Sequence, residues 1–304
     1  MKARLFRSFA KVNLGLEVVG RLPDGYHELK TIFATVSLHD VVEIEESTRG
    51  ISVRSDHPGV PNDETNIAWR AAALMQELSG RKRGVRITLH KRIVPGGGLG
   101  GGSSNAATVL RALDRMWGLS LPKSELVEAA KRLGADVPYF LFGGPALGLG
   151  RGDLIRPLEL KLTDSVLLVK GPGGVSTAAV FRRFAERGGE NAGRSRSPID
   201  RFGQGLGALS GLRNDLEPAA IEVSPGLGRV AHEVRQVGRA TGAAAVAMSG
   251  SGSSFFLLFR DAARRSAAGA LLEKARIETV PCSFVSRRAF RERFEIPGPR
   301  PKRR

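Results

Sequence analysis

The stretch Pro95-Gly96-Gly97-Gly98-Leu99-Gly100-Gly101-Gly102-Ser103-Ser104-Asn105-Ala106-Ala107 carries six glycines around one leucine. A backbone without Cβ atoms approaches a ligand closely and reaches φ > 0 at no steric cost. Ser103, Ser104 and Asn105 are capping residue types and are expected to open a helix, whose free N–H groups and dipole favour an anion. Val85-Arg86-Ile87-Thr88-Leu89, an alternating strand, precedes the run. Strand, glycine bend and helix start, in that order, point to a bound phosphate. Gly96, Gly98 and Gly101 also satisfy the G-x-G-x-x-G fingerprint of dinucleotide binders. That fingerprint needs an acidic residue closing the next strand about 20 residues on, where Leu119 to Lys123 reads as a turn. No Gly-Lys-Ser/Thr occurs, and the His-Arg-Asp and Asp-Phe-Gly motifs of protein kinases are absent.

Four other residues have the types that chemistry on a phosphorylated ligand would need. Asp136 lies between Ala135 and Val137-Pro138, where burial would raise its pKa and a nearby cation would lower it again. It is a candidate general base. Lys11 sits among apolar residues of a predicted strand, where an unpaired ammonium is costly. Taken singly, each fits a structural ion pair as well as it fits catalysis. Tyr26 and His27 stand out in a chain with two tyrosines and five histidines. An aromatic face stacks on a pyrimidine and an imidazole bonds its polar edge; a turn residue packed on the core is the other reading of Tyr26.

The elements that must position these residues alternate along the chain. Arg4 to Val18 reads as a strand pair or a strand with a bend, and Val41 to Glu45 as a strand. Helices are expected at Asn66 to Leu78, from Ser103 to Trp117, and at Lys123 to Leu133 before Gly134. The later part reads as a strand at Ser165 to Val169, a helix at Gly226 to Thr241, and strands at Ala243 to Met248 and Ser254 to Phe259. A helix at Ala262 to Arg276 and a strand at Thr279 to Phe284 follow. Neighbouring strands look antiparallel, so the fold class is α+β. Domains are expected at 1–155 and 156–290, with 291–304 as a basic tail outside the fold. The segment from Gly188 to Gly211, rich in Gly, Ser and Arg, reads as a loop.

Length and composition set the frame: 304 residues suit one large or two ordinary domains, and 41% hydrophobic with 25% charged residues is a globular balance. No stretch approaches the ~20 apolar residues that span a bilayer. The single Cys282 cannot form an internal disulfide, and no Cys/His cluster has zinc spacing. The cytoplasm is the expected compartment. The net charge of +17 gathers at Arg182 to Arg213 and in the tail from Arg287. Few aromatics interleave these runs, so stacking platforms for nucleic acid are missing. Solvated surface and a polyanion contact both remain open, and a positive field would also speed the encounter with an anionic substrate.

In sequence order, four motifs resemble those of the GHMP kinases. They are Ala10-Lys11-Val12-Asn13-Leu14 with Asp24-Gly25-Tyr26-His27, the glycine run, Gly134-Ala135-Asp136-Val137-Pro138, and Met248-Ser249-Gly250-Ser251-Gly252. Arg213-Asn214-Asp215-Leu216-Glu217 also has a counterpart there. Pro95 stands one place later than the family pattern, and neither the 188–211 segment nor the tail has a counterpart. The resemblance implies an N-terminal ribosomal-protein-S5-like domain and a C-terminal ferredoxin-like α/β sandwich. It implies ATP and Mg²⁺, and transfer of a phosphoryl group to a small alcohol. Within the family, the doubled-glycine run resembles members that phosphorylate a cytidine diphosphate ester in isoprenoid-precursor synthesis. On that likeness Lys11 and Asp136 meet at the substrate hydroxyl. Val94 and the residues from Pro95 to Asn105 hold ATP, Asn66 and Lys91 contact its adenosine, and Ser104 is a candidate metal ligand. Tyr26 stacks on cytosine with Phe181 on the other face, while Asn13, His27, Thr177, Ser249 and Gly250 complete the substrate site.

Overall fold

A computed structural model describes residues 3–80, 82–188, 199 and 213–297. The 188–211 segment lies almost wholly outside them, as do residues 298–304 of the basic tail. Among the described residues, no helix is long and apolar enough to cross a membrane.

Two long antiparallel strands, β1 (Arg4–Arg21) and β2 (His27–Ser47), form the spine. β1 is one continuous strand rather than a pair, and register shifts at Phe9/Lys11, Asn13/Gly15 and Val18/Gly20 bend it. β2 continues the sheet into β4 (Gly84–His90), which pairs in parallel with β3 (Ile51–Ser55). Its other end pairs with β5 (Ala146–Leu149), which pairs with β6 (Leu154–Pro157). Helices α1 (Ile67–Ser79), α2 (Gly101–Trp117) and α3 (Lys123–Leu133) bury their apolar faces with this sheet in one core. The short helix α4 (Tyr139–Phe142) follows Asp136.

The second sheet has the order β10-β7-β9-β8, from β7 (Ser165–Val169), β8 (Ala245–Met248), β9 (Phe255–Phe259) and β10 (Thr279–Ser283). Numbered from the first of these, the order is 4-1-3-2 and all pairs are antiparallel, which is the ferredoxin-like arrangement. Helices α5 (Thr177–Glu186), α6 (Glu217–Val223), α7 (Pro225–Thr241) and α8 (Ala262–Lys274) cover one face. The far end of β1 enters this second core through Leu16 and Val18, so one strand serves both layers.

Residues 291–297 depart from the expected tail. Helix α9 (Arg287–Glu292) and strand β11 (Glu295–Ile296) return to the first sheet, where Leu5 and Phe6 pair with Ile296 and Glu295. Phe294 is buried in the first core, 5.1 Å from Phe6. The charge of the flanking arginines hid this packing signal in the sequence.

Candidate functional site

The glycine bend lies between β4 and α2, and the helix starts at Gly101, two residues before the expected Ser103. The reason is local. Gly100 adopts φ +70 as the capping residue, where a Cβ would also fall 2.8 Å from Phe140 Cζ, and Ser104 N–H donates to Gly100 C=O at 2.8 Å. The N–H groups of Gly101, Gly102 and Ser103 therefore form the open donor end of the helix. Loop carbonyls are turned away from it and engaged: Gly97 O accepts from Ser254 N at 3.1 Å, Gly98 O from Ser249 Oγ at 2.9 Å, and Leu99 O from Lys11 N at 3.1 Å. With acceptors tied down and donors free, the bend is polarised for an anion.

Ser104 and Asn105, expected at the nucleotide, instead pin the helix from behind. Ser104 Oγ donates to Phe9 O at 2.7 Å and accepts from Ser8 Oγ at 2.8 Å, so the metal-ligand expectation finds this hydroxyl already engaged. Asn105 donates to Ser8 and Asp40 and accepts from Lys91 Nζ at 2.9 Å. Lys91 also pairs with the fully buried Asp40, whose other oxygen accepts the N–H groups of Arg92 and Ile93. Lys91 still borders a neighbouring cleft of about 1220 Å³ shared with His57, Val94, Pro95 and Arg229. Asn66 is the N-cap of α1; its side chain accepts from Ala68 N and donates to Pro61 O, so neither end turns to the bend.

A cleft of about 460 Å³ joins the bend to the two domains. Val94 to Gly98, Gly100 to Ser103, Lys11, Asn13, Asp136, Thr177, Phe181 and Gly250 all line it. Lys11 is almost wholly buried, and its ammonium stands 2.7 Å from Asn13 Oδ1 and 3.4 Å from Asp136 Oδ2. Asn13 Nδ2 donates to Thr31 Oγ1 at 2.8 Å, which fixes the amide so that its oxygen faces the lysine. Gly250 has φ +59, where a side chain is strained, and a Cβ there would lie a tight 3.2 Å from Gly98 O and 3.3 Å from Lys11 Nζ. The serine beside it, Ser249, is buried between Gly98 O and Asn13 N–H and acts behind the surface.

At the other wall, α5 starts at the Ser176 cap and sets Thr177 and Phe181 one turn apart on the same face. Thr177 Oγ1 meets Ser251 Oγ at 2.8 Å. Phe181 stacks on His27, with ring centroids 4.9 Å apart. Tyr26 is 58% exposed and does not line the cleft; its ring centre lies 4.0 Å from the guanidinium of Arg151, which does. Arg151 also pairs with Asp24, and the Tyr26 N–H and Arg151 together hold the Asp24 carboxyl below its usual range.

Sequence reasoning missed Arg151 and Thr31, and gave Asn214, which lies in a family-like stretch, no role of its own. Asn214 Nδ2 donates to Met248 O at 2.9 Å and Gly250 O at 2.6 Å, fastening the second glycine turn. Arg151 had a signal, lying between two glycines just after β5, and Asn214 had its stretch; Thr31 had none. Among the described residues no group of His, Cys, Asp and Glu is spaced to hold a metal.

The GHMP kinase N-terminal domain family matches residues 66–144, and the GHMP kinase C-terminal family matches residues 195–277. The 4-diphosphocytidyl-2-C-methyl-D-erythritol kinase of Geobacter sp. strain M21 is 43% identical over 271 residues, covering 88% of this chain and 93% of that protein. The enzyme of the same name from Chlorobium chlorochromatii is 36% identical over 285 residues, covering 91% and 93%. A crystal structure of 4-(cytidine 5'-diphospho)-2C-methyl-D-erythritol kinase superposes with a TM-score of 0.75 at 36% identity, covering 92% of this chain and 98% of that one. A homoserine kinase from Cytophaga hutchinsonii, 20% identical with a TM-score of 0.67, shares the fold. With a cleft floored by a polarised glycine bend and these relatives along most of its length, the chain belongs to the 4-diphosphocytidyl-2-C-methyl-D-erythritol kinase family of the GHMP kinases.

Proposed function

We propose that this chain transfers the γ-phosphate of ATP to the 2-hydroxyl of 4-diphosphocytidyl-2-C-methyl-D-erythritol, a step in the methylerythritol phosphate route to isoprenoid precursors. The observation that carries the reading is the Lys11–Asp136 pair, at 3.4 Å in a cleft whose floor is the glycine bend. Asp136 accepts the hydroxyl proton as the substrate oxygen attacks the γ-phosphorus. The bond to the bridging oxygen breaks, and the charge leaves with ADP. The buried ammonium of Lys11 stabilises the negative charge that develops on the attacking oxygen. The N–H groups of Gly101 to Ser103 hold the phosphates at the helix start.

Mg²⁺ accompanies the nucleotide. It takes one or two protein oxygens and otherwise water and phosphate. In the cleft lining the Ser103 hydroxyl could take one place on the ion, and among the described residues there is no carboxylate cage. Bound there, the ion would neutralise phosphate charge. The adenosine extends past Val94 and Pro95 into the neighbouring cleft bordered by Lys91. Cytosine lies between Tyr26 and Phe181, which requires Arg151 to leave the Tyr26 face and His27 to leave its stack on Phe181 and bond the base edge.

The test is ADP release from ATP with a panel of alcohols. Turnover of the cytidine diphosphate ester, with homoserine and mevalonate inert, is expected. Turnover of homoserine or mevalonate with the ester inert would overturn the substrate.

A further inference from the structure

Tyr139 lies three residues after Asp136 and is fully buried. Its hydroxyl stands 2.7 Å from Gly144 O and 2.7 Å from Thr35 Oγ1, and Gly144 N–H donates to Thr35 Oγ1 at 2.9 Å. These three contacts close a ring, and the ring fixes its own proton positions. The Tyr139 hydroxyl must donate to the Gly144 carbonyl, because a carbonyl has no proton to give. The Thr35 hydroxyl therefore donates to the Tyr139 oxygen and accepts from Gly144 N–H. Every donor in the ring is used, and each bond polarises the next in a medium from which water is excluded.

The ring's members lie at the catalytic pair's supports. Thr35 is the residue of β2 directly opposite Lys11 on β1. Tyr139 heads α4, which continues from the turn bearing Asp136, where Val137 N–H bonds Gly134 O at 3.1 Å and Phe140 N–H bonds Val137 O at 3.1 Å. The Tyr139 ring packs 4.7 Å from Phe33, whose own ring lies 5.5 Å from Lys11 Nζ. Gly144 is held in turn by the C-terminal segment: a Cβ there would fall 2.8 Å from Arg287 N, and Arg287 donates to Pro145 O. The strand that faces Lys11 across the sheet and the helix that follows the aspartate turn are thus joined through the Thr35 and Tyr139 hydroxyls. A core residue that needed only to fill volume would leave this work to a phenylalanine.

We infer that Tyr139 is a positioning residue: through its ring with Thr35 and Gly144, it sets the aspartate turn at its working distance from Lys11. This rests on the reading that Asp136 is the base. The phenol never meets substrate. Its effect is on the rate of the chemical step and not on binding, since misplacing a reacting group by about an ångström costs on the order of 10²-fold in rate.

The test is a double-mutant cycle on ADP release with the cytidine ester. Tyr139→Phe keeps the volume and removes the hydroxyl; kcat should fall about 5- to 50-fold with KM for ATP and ester within about twofold. Thr35→Val, which breaks the ring from the other side, should do the same, and Thr35→Ser should restore most of the rate. In an Asp136→Asn background, Tyr139→Phe should cost less than about twofold, because the group it positions is gone. An equal loss in both backgrounds, or a rise in KM with kcat preserved, would overturn the positioning role. If Asp136→Asn alone leaves kcat within tenfold of the parent, the base assignment fails instead, so the two failures are distinguishable. Circular dichroism and thermal unfolding of each variant separate a misfolded protein from a mispositioned site.

Discussion

The carbonyl oxygen of Gly98 accepts a 2.9 Å hydrogen bond from the hydroxyl of Ser249, and the two residues belong to different glycine turns 151 positions apart. Gly98 has φ +74, and a Cβ there would fall 2.1 Å from the backbone oxygen of Ser249. The phosphate bend is therefore seated against the second domain, with no room between them.

From this seating follows a contrast within one loop. Gly98→Ala should displace the bend and weaken ATP binding at least about tenfold, since both the conformation and the space are denied to it. Gly102 is helical and open, with only Ile67 Cγ2 at 3.6 Å from a built Cβ. Gly102→Ala should leave the melting temperature unchanged or raise it, helix propensity contributing about 0.5–1 kcal/mol. Nucleotide titration and thermal unfolding read the two outcomes, and ATP binding by Gly98→Ala at wild-type affinity would refute the first.

Lys11 carries its charge at almost no exposure, with Asn13 and Asp136 as its partners. Lys11→Met preserves the length of the stem and removes the ammonium. It should lower kcat about 10²- to 10³-fold, the range for losing one preorganised donor at a developing anion. A fall of less than tenfold would show that the ammonium is structural.

How much of this was legible beforehand depended on whether the signal was local. Helix α3 is legible to the residue because its apolar spacing ends at Gly134. The expected α2 began two residues late because capping statistics favour Ser103, whereas here the cap must also reach positive φ, and Gly100 does so. The loose alternation of Arg4 to Val18 fits a strand pair or one strand with a bend, and the structure has the bent strand, its bulges breaking the alternation while its two ends enter different cores. The glycine run, Lys11 and Asp136 were legible from residue type and motif order. The same grounds give Asn66, Ser104 and Asn105 ligand roles, whereas the structure shows their hydrogen bonds as caps and pins inside the fold. Such polar side chains look alike in a sequence whether they face a ligand or a backbone. The glycines flanking Arg151 and the stretch around Asn214 mark the residues but not their partners, Tyr26 and Gly250, which tertiary contacts alone decide.

The return of the C-terminal segment gives a stability prediction. Phe294 is buried against Phe6, with the Arg111 guanidinium 3.7 Å from its ring centre. Burial lowers the Arg111 pKa to about 9. Phe294→Ala should cost about 3–5 kcal/mol, the usual range for a buried phenylalanine. Urea unfolding measures it, and a loss below about 1 kcal/mol would place residues 291–297 outside the cooperative fold.

His39 supplies a pH dependence. Its Nδ1 lies 2.8 Å from Ser37 O, its ring packs 5.4 Å from Phe9, and burial holds its pKa below the ordinary 6.5. The unfolded chain thus takes up a proton at higher pH than the native one. The stability tied to this neutral imidazole is complete above pH 6.5 and is lost as pH falls from there toward the native pKa. Between pH 7.5 and 5.5, wild type should lose more stability than His39→Gln. Equal losses would remove His39 as the cause.

The central claim is that the carboxylate facing Lys11 across the phosphate bend takes the proton from the substrate hydroxyl. Its most direct measurement is kcat for the cytidine diphosphate ester with Asp136→Asn, a change that keeps shape and removes the base. A fall of about 10²- to 10⁴-fold, with ATP binding retained, is expected. A folded variant that binds ATP and keeps more than a tenth of the wild-type rate would contradict it.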